Sequence, residues 1–271
     1  MAAQAVTWLF VPATRPERLA KAFAAGAHAV IADLEDAVDA CDKDHARTQL
    51  ETVLQAGCPP PWVRINGVGT PWFAQDLALV HSHRSALAGV VLAKTDSAAD
   101  LQALDVDLPV LGLIESARGM LALAEICRHP RITRLAFGAA DLSADLGCED
   151  DWDLLWPARL QLLTHCAAAG LPPPVDGVTM ALQDPALVKG DARRAARAGF
   201  GAKLCIHPAQ LAPVLSGFAP TQAQLQWAQR IMALAQQAGS GAQRVDGQMV
   251  DRPVIARAQQ ILQRASLRAN P

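Results

Sequence analysis

Eight short apolar runs, each followed by an amphipathic stretch, predict a (β/α)₈ barrel carrying a C-terminal helical and hairpin appendage. The strand–helix alternation repeats eight times within about 215 residues, a spacing suited to a closed parallel barrel. Polar and charged residues gather where the apolar runs stop, which is the end of a barrel strand at which chemistry sits. A doubly wound open sheet is the alternative, but no glycine-rich dinucleotide fingerprint follows the first run.

In order, Trp8 to Val11 reads as the first strand, and the helix after it opens near Pro16 with Leu19, Ala20 and Phe23 on one face. HAVIADLED is a strand ending in Asp33, Glu35 and Asp36. WVRIN places Arg64 near the end of a third strand, and GVVLAK ends the fourth at Lys94. Val110 to Ile114 is a buried run closed by Glu115, with Met120, Leu123, Ala124 and Cys127 at helical spacing beyond it. ITRLAFG is the sixth strand, followed by Asp141. A helix is expected from about Trp152 to Ala169, stopped by Gly170. Val175 to Val178 is a weak seventh strand. Asp184-Pro185 is an N-cap and first-turn pair for a helix ending at Gly199, and AKLCI is the eighth strand, with His207-Pro208 at its end.

Residues 1–218 form the expected barrel domain, and 219–271 an arm too small to bury a good core alone. Within the arm, Gln222 to Gln237 reads as helix, AGSGA as a break, RVDGQMV as a hairpin turning at Asp246-Gly247, and a last helix starts near Pro253. The arm is expected to pack on the barrel or on a neighbouring subunit.

Half of the 271 residues are apolar and 18% are charged, so a large core is affordable, and the net charge of −2 carries no long run of one sign. That excludes an extended nucleic-acid surface. Six cysteines without CxxC spacing favour a reduced, intracellular protein over a disulfide framework. Met1 leads into strand-like sequence with neither a signal peptide nor a transmembrane run, so no membrane partner and a cytoplasmic location are expected.

Glu115 and Asp141 project from the ends of neighbouring strands, and two carboxylates plus waters suit Mg²⁺, a hard ion that prefers oxygen. Taken singly, each acid is as well explained by helix capping. The DLED acids, Glu35 and Asp36 among them, fit hydrogen-bond acceptance from metal-bound waters, or a salt-bridged rim. Arg64 suits bidentate capture of a carboxylate or a keto oxygen, although arginines also bridge barrel loops. Lys94 reads more simply as a lysine snorkelling at a strand end, and His207 as a rim residue. The small residues Gly138, Ala139 and Ala140 leave backbone N–H groups open to an anion beside Asp141. Thr14, Arg15, Arg18 and Lys21 border the first helix, where they meet phosphates or simply face solvent. Asp251 lies two residues before Pro253, and capping the last helix is its simple account.

Seven segments occur in a telling order: FVPATRPERLAKA, ADLEDAV, RING, LIESARGM, FGAADLSADLG, KLCIHP and DGQMVDRPV. Together they resemble the citrate lyase β-subunit-like proteins of the HpcH/HpaI aldolase group, which includes malyl-CoA and citramalyl-CoA lyases. The resemblance covers nearly the whole chain. It implies a TIM barrel that binds Mg²⁺ and breaks or forms carbon–carbon bonds in 3-hydroxyacyl-coenzyme A thioesters, giving an acyl-CoA and a 2-oxo acid. By the same resemblance, Glu115 and Asp141 hold the metal, and Glu35 and Asp36 bind its waters. Arg64 holds the 2-oxo acid, whose carboxylate meets the turn of Gly138, Ala139, Ala140 and Leu142. Arg18 and Lys21 contact coenzyme A. Asp251 is the catalytic acid–base donated by a neighbouring subunit, which implies a homo-oligomer, a trimer or a hexamer. VDGVTMALQD and VPATRP depart from the usual family pattern and bear on acyl specificity and coenzyme A contacts. An aldolase for free 4-hydroxy-2-oxo acids, and a citrate lyase β subunit needing an acyl-carrier partner, are the competing expectations.

Overall fold

The computed structural model describes residues 4–237, 243–245 and 248–266. The chain divides into two compact units, 1–217 and 218–271. In the first, eight parallel strands close on themselves: β1 (Thr7–Pro12), β2 (Ala29–Asp33), β3 (Trp62–Ile65), β4 (Gly89–Leu92), β5 (Val110–Ile114), β6 (Ile132–Phe137), β7 (Val175–Asp176) and β8 (Ala202–Cys205). β8 pairs back onto β1, with Trp8 beside Leu204. The connections are α1 (Glu17–Ala24), α2 (Lys43–Gln55), α3 (Phe73–His83), α4 (Ala98–Ala103), α5 (Ala117–Leu121), α6 (Leu123–Ile126), α7 (Ala139–Leu146), α8 (Trp156–Ala168) and α9 (Pro185–Ala198). α10 (Leu211–Phe218) follows β8. The (β/α)₈ barrel read from the alternation is the observed fold.

Strand side chains alternate between the barrel interior and the helices outside. Trp8, Ile31, Trp62, Val91, Leu113 and Leu204 belong to one interior cluster. Trp8 and Trp62 meet edge to face, their ring centroids 4.9 Å apart. Gly89 is a close-approach glycine, because a Cβ there would lie 2.4 Å from the Trp62 ring. Burying each such side chain contributes roughly 1.5–3 kcal/mol, so the interior is a packed core and leaves only its C-terminal mouth for chemistry.

Several elements differ from their sequence reading. On α1 the buried positions are Leu19 and Ala22, and Ala20 faces solvent. The helix expected after Glu115 breaks at Ala122 (φ −90°, ψ 2°), which turns Ile126 inward in place of Ala124. α8 begins at Trp156 rather than Trp152, because Asp151 Oδ1 accepts from the amides of Asp153 and Leu154 and holds a turn. β7 is two residues long. α9 starts as its Asp184-Pro185 pair indicates, with Asp184 accepting from the amides of Ala186 and Leu187.

The second unit contains α11 (Gln222–Gln237), β9 (Gln243–Val245), β10 (Gln248–Val250) and α12 (Arg252–Ser266). β9 and β10 pair antiparallel, while the turn Asp246-Gly247 and the AGSGA break lie outside the described residues. Ala228, Ile231, Val250, Ala258 and Ile261 form its core, and the Arg257 guanidinium lies 5.3 Å from the Trp227 ring. Among the described residues no helix is long and apolar enough to cross a membrane.

Candidate active site at the barrel mouth

Asp33 is the last residue of β2 and shares the inward parity of Ile31, while its strand neighbour in register is Arg64. The buried Asp33 carboxylate accepts from the Glu35 and Ala37 amides at 2.9 and 3.3 Å, which curls the acidic loop over the strand end. It also takes both Arg64 Nε (2.7 Å) and Arg64 Nη2 (2.6 Å). Arg64 Nη1 then faces Glu35 at 2.9 Å and Asp36 at 3.5 Å, and the guanidinium stacks 4.5 Å from the Phe10 ring. The bidentate edge expected to grip a ligand is therefore spent on Asp33, because adjacent parallel strands bring the two side chains into register. Nη1 is the nitrogen turned toward the other acids.

A buried lysine braces this loop from behind. Lys43 Nζ donates to the carbonyls of Leu34 (2.7 Å) and Glu35 (2.8 Å) and to Asn66 Oδ1 (2.9 Å), which satisfies all three of its donors. Asn66 in turn donates to Asp76, and Asp76 to Arg47 is a 2.8 Å ion pair. Lys43, Asn66 and Asp76 carry no site signal in the sequence, where Asp33 stands only as one of the DLED acids.

Glu115 follows β5 and is buried. Its Oε1 accepts the Lys94 amide at 2.7 Å. Its side chain lies across Gly138, where a Cβ would come 2.3 Å from Glu115 Cβ and 2.7 Å from Oε2, so only glycine leaves room for this carboxylate. Ser116 caps α5 by accepting from the Gly119 amide and donates to Asp96, while Asp145 accepts the Ala117 amide at 2.7 Å. The ESARG segment thus points its acid inward and starts a helix immediately after. Asp141 sits in the first turn of α7, three residues beyond Gly138, and is half-buried.

These acids act on one another. Burial first, then the Glu35 charge and that of Asp141, push Glu115 up to about 8. Burial likewise raises Glu35 to about 7 against the opposing pull of Arg64. Asp141 is raised by burial and by Asp36. Asp33, Glu35, Asp36, Glu115 and Asp141 are five carboxylates, and the cations among them are Arg64, Lys94 and Lys43. Fully ionised, the mouth holds two uncompensated negative charges on hard oxygen donors, which fits a divalent cation of the Mg²⁺ kind. Among the described residues no three His, Cys, Asp or Glu side chains are grouped to hold an ion. A cation here would take two protein carboxylates and complete its shell from water or ligand.

The other expected residues scatter more widely. Arg18 and Lys21 are exposed on α1. The Gly138 amide is used by the Ile114 carbonyl at 2.9 Å, and the Leu142 amide by Gly138 at 3.1 Å. Of the anticipated anion turn, Ala139 and Ala140 supply the first-turn amides, which a helix leaves without internal partners. His207 is a rim residue whose Nδ1 accepts from the Ala209 amide. Asp251 belongs to the second unit, where its Oδ1 accepts the Val254 amide at 3.1 Å and caps α12.

Residues 6–208 match the family model described as HpcH/HpaI aldolase/citrate lyase. The chain is 38% identical to a citrate lyase subunit beta-like protein of Mycobacterium tuberculosis, over 95% of this chain and 94% of that one. It is 37% identical to a (3S)-malyl-CoA thioesterase of Cereibacter sphaeroides, over 95% and 93%. The crystal structure of CitE from M. tuberculosis in complex with magnesium, acetoacetate and coenzyme A superposes with a TM-score of 0.87 at 36% identity, covering 98% of this chain and all of that one. The match spans all eight strands and every acid of the mouth, and on that ground the chain belongs to the HpcH/HpaI aldolase/citrate lyase family.

Proposed function

We propose that this chain is a Mg²⁺-dependent carbon–carbon lyase that splits a 3-hydroxyacyl-CoA, such as malyl-, citramalyl- or citryl-CoA, into an acyl-CoA and a 2-oxo acid. The observation that carries the reading is that Glu115 and Asp141 meet at one barrel mouth, close enough to shift each other's charge, beside Arg64 and the acids of the β2 loop. The CitE complexes with magnesium, acetoacetate, coenzyme A and pyruvate support the same ligand classes.

Glu115 and Asp141 would hold Mg²⁺, which when bound supplies a Lewis acid for the oxygen that becomes the 2-oxo carbonyl. Arg64 Nη1 would stabilise the negative charge on that oxygen as it develops, fixed in place by Asp33. The amides of Ala139 and Ala140 would receive the substrate carboxylate. Glu35, held 2.9 Å from Arg64 Nη1 at the mouth, would take the hydroxyl proton. The carbon–carbon bond then breaks, its electrons pass to the thioester enolate, and Asp251 of a neighbouring subunit protonates the enolate carbon. Arg18 and Lys21 would meet the coenzyme A phosphates. Asp251→Asn should slow turnover about 10²–10⁴-fold and leave calorimetric Mg²⁺ binding unchanged. Wild-type turnover in that variant would remove Asp251 from the mechanism.

A second reading, thioester hydrolysis, is favoured by the thioesterase relatives and by the same Glu35, since a carboxylate that takes a hydroxyl proton can also activate water. One experiment separates them. The purified protein with Mg²⁺ is given malyl-, citramalyl- and citryl-CoA, and both 2-oxo acid and free thiol are followed. The lyase releases 2-oxo acid without free thiol, whereas hydrolysis releases thiol alone and would overturn the lyase assignment.

A further inference from the structure

Among the described residues Lys94 is the one non-glycine with a positive φ, at 48°. An L-residue holds that conformation only where its surroundings over-determine it, and such positions cluster at functional sites. The residues on either side are tied to different strands: the Ala93 amide reaches the Ile65 carbonyl at 3.4 Å, and the Thr95 amide reaches Leu113 at 3.0 Å. Thr95 Oγ1 also donates to the Leu92 carbonyl at 3.0 Å. Residue 94 is thereby turned so that its amide leaves the sheet and donates to Glu115 Oε1 at 2.7 Å. Its side chain meets a different acid, with Nζ 3.3 Å from Glu35 Oε1. At 47% side-chain exposure, core packing does not account for it.

We propose that Lys94 is a positioning residue with two grips, its backbone amide aiming Glu115 and its ammonium restraining Glu35, so that one strained residue sets the spread of the two acids across the mouth. The proposal rests on the metal-dependent lyase reading and adds the device that spaces its carboxylates. The two grips separate by substitution. Glycine accepts a positive φ and lacks the ammonium. Valine, β-branched, resists that φ. Methionine keeps an unbranched stem without the charge.

Mg²⁺ binding is measured by calorimetry, and turnover on the thioester substrate is measured alongside. Lys94→Gly should bind Mg²⁺ within about threefold of wild type, and Lys94→Val about 10–100-fold more weakly, the usual loss when a ligand's orienting partner goes. Lys94→Thr, also β-branched, replaces the valine variant if the latter does not unfold cooperatively. Lys94→Met should bind Mg²⁺ at least as tightly as wild type, since a cation has left the mouth, yet lose kcat about tenfold with little change in KM. Lys94→Arg should restore most of that kcat. Wild-type protein that takes up no Mg²⁺ would overturn the metal reading and this proposal together. Normal uptake in wild type with equal affinity in Lys94→Gly and Lys94→Val would overturn the backbone grip alone, and full turnover in Lys94→Met the ammonium grip.

Discussion

Two ionic networks, one buried throughout and one partly open, stand on opposite sides of the barrel wall, and their charge balance is opposite. Inside the mouth, five carboxylates meet three cations. Outside, Asp176 of β7 is paired with Lys203 Nζ at 2.9 Å and with Arg159 Nε at 3.1 Å, one acid between two cations. Lys203 Nζ also donates to the Gly177 carbonyl at 2.7 Å. The Arg159 guanidinium lies 4.5 and 4.3 Å from the rings of Phe137 and Trp152, and among the described residues its buried Nη1 has no hydrogen-bond partner. Strand parity decides which network is which. Asp33 and Arg64 share the inward side with Ile31 and Trp62, whereas Asp176 and Lys203 alternate with the inward Val175 and Ala202. The network facing out is flanked by aromatic faces and has cations to spare. The one facing in is left short of positive charge and can recruit it.

Glu115→Gln gives the largest break in that comparison. It should remove essentially all Mg²⁺-dependent turnover while raising the thermal stability of the chelator-treated protein, because a carboxylate pushed up by burial has been replaced by a neutral isostere. A fall in stability would mean that the mouth, like the outer network, is built for stability. Asp176→Ala should do the reverse, destabilising by about 3–5 kcal/mol through two uncompensated buried cations. Chemical denaturation reads the loss, and Mg²⁺ affinity of the folded fraction should not move.

Arg64→Lys is smaller in effect. It keeps the charge but forfeits the paired contact with Asp33 and should cost about 10–100-fold in kcat/KM. Unchanged kinetics would reduce Arg64 to a loop brace. The mildest effect is on pH. Glu115 and Glu35 have folded-state pKa values raised above 4.5, to about 8 and about 7, so the folded protein prefers their protons. Without metal, these two groups contribute their full stabilisation at low pH and lose it as the pH rises from 4.5 towards 8. The melting temperature of chelator-treated protein should drop across that window, and added Mg²⁺ should raise it more at pH 8 than at pH 6, as scanning calorimetry can show. A flat profile would argue that the mouth carries no charge deficit.

Much of the barrel was legible in the chain because a buried parallel strand is a local pattern: a short apolar run that ends where solvent begins. The same locality exposed Glu115 and Asp141, each standing just past such a run, and Asp184, whose cap needs only the next three residues. α8 begins four residues later than its periodicity suggests, since the Asp151 turn competes with helix through side-chain bonds that periodicity does not register. In the sequence Arg64 suits a ligand clamp as well as a loop bridge, because its bidentate partner Asp33 lies 31 residues away and meets it only through strand register. Lys94 has the sequence setting of a snorkelling lysine, for nothing in GVVLAK announces a left-handed backbone.

By itself, then, the sequence determined the eight-fold alternation, the acids at its strand ends and the helix starts that follow them, because each is written within a few neighbouring residues. Only the closed barrel decided which acids share a mouth, that Arg64 is held by Asp33, and that Lys94 must strain to reach Glu115. Those contacts join residues distant in the chain, and their energies depend on burial and on summed charge, quantities that exist only once the strands have closed.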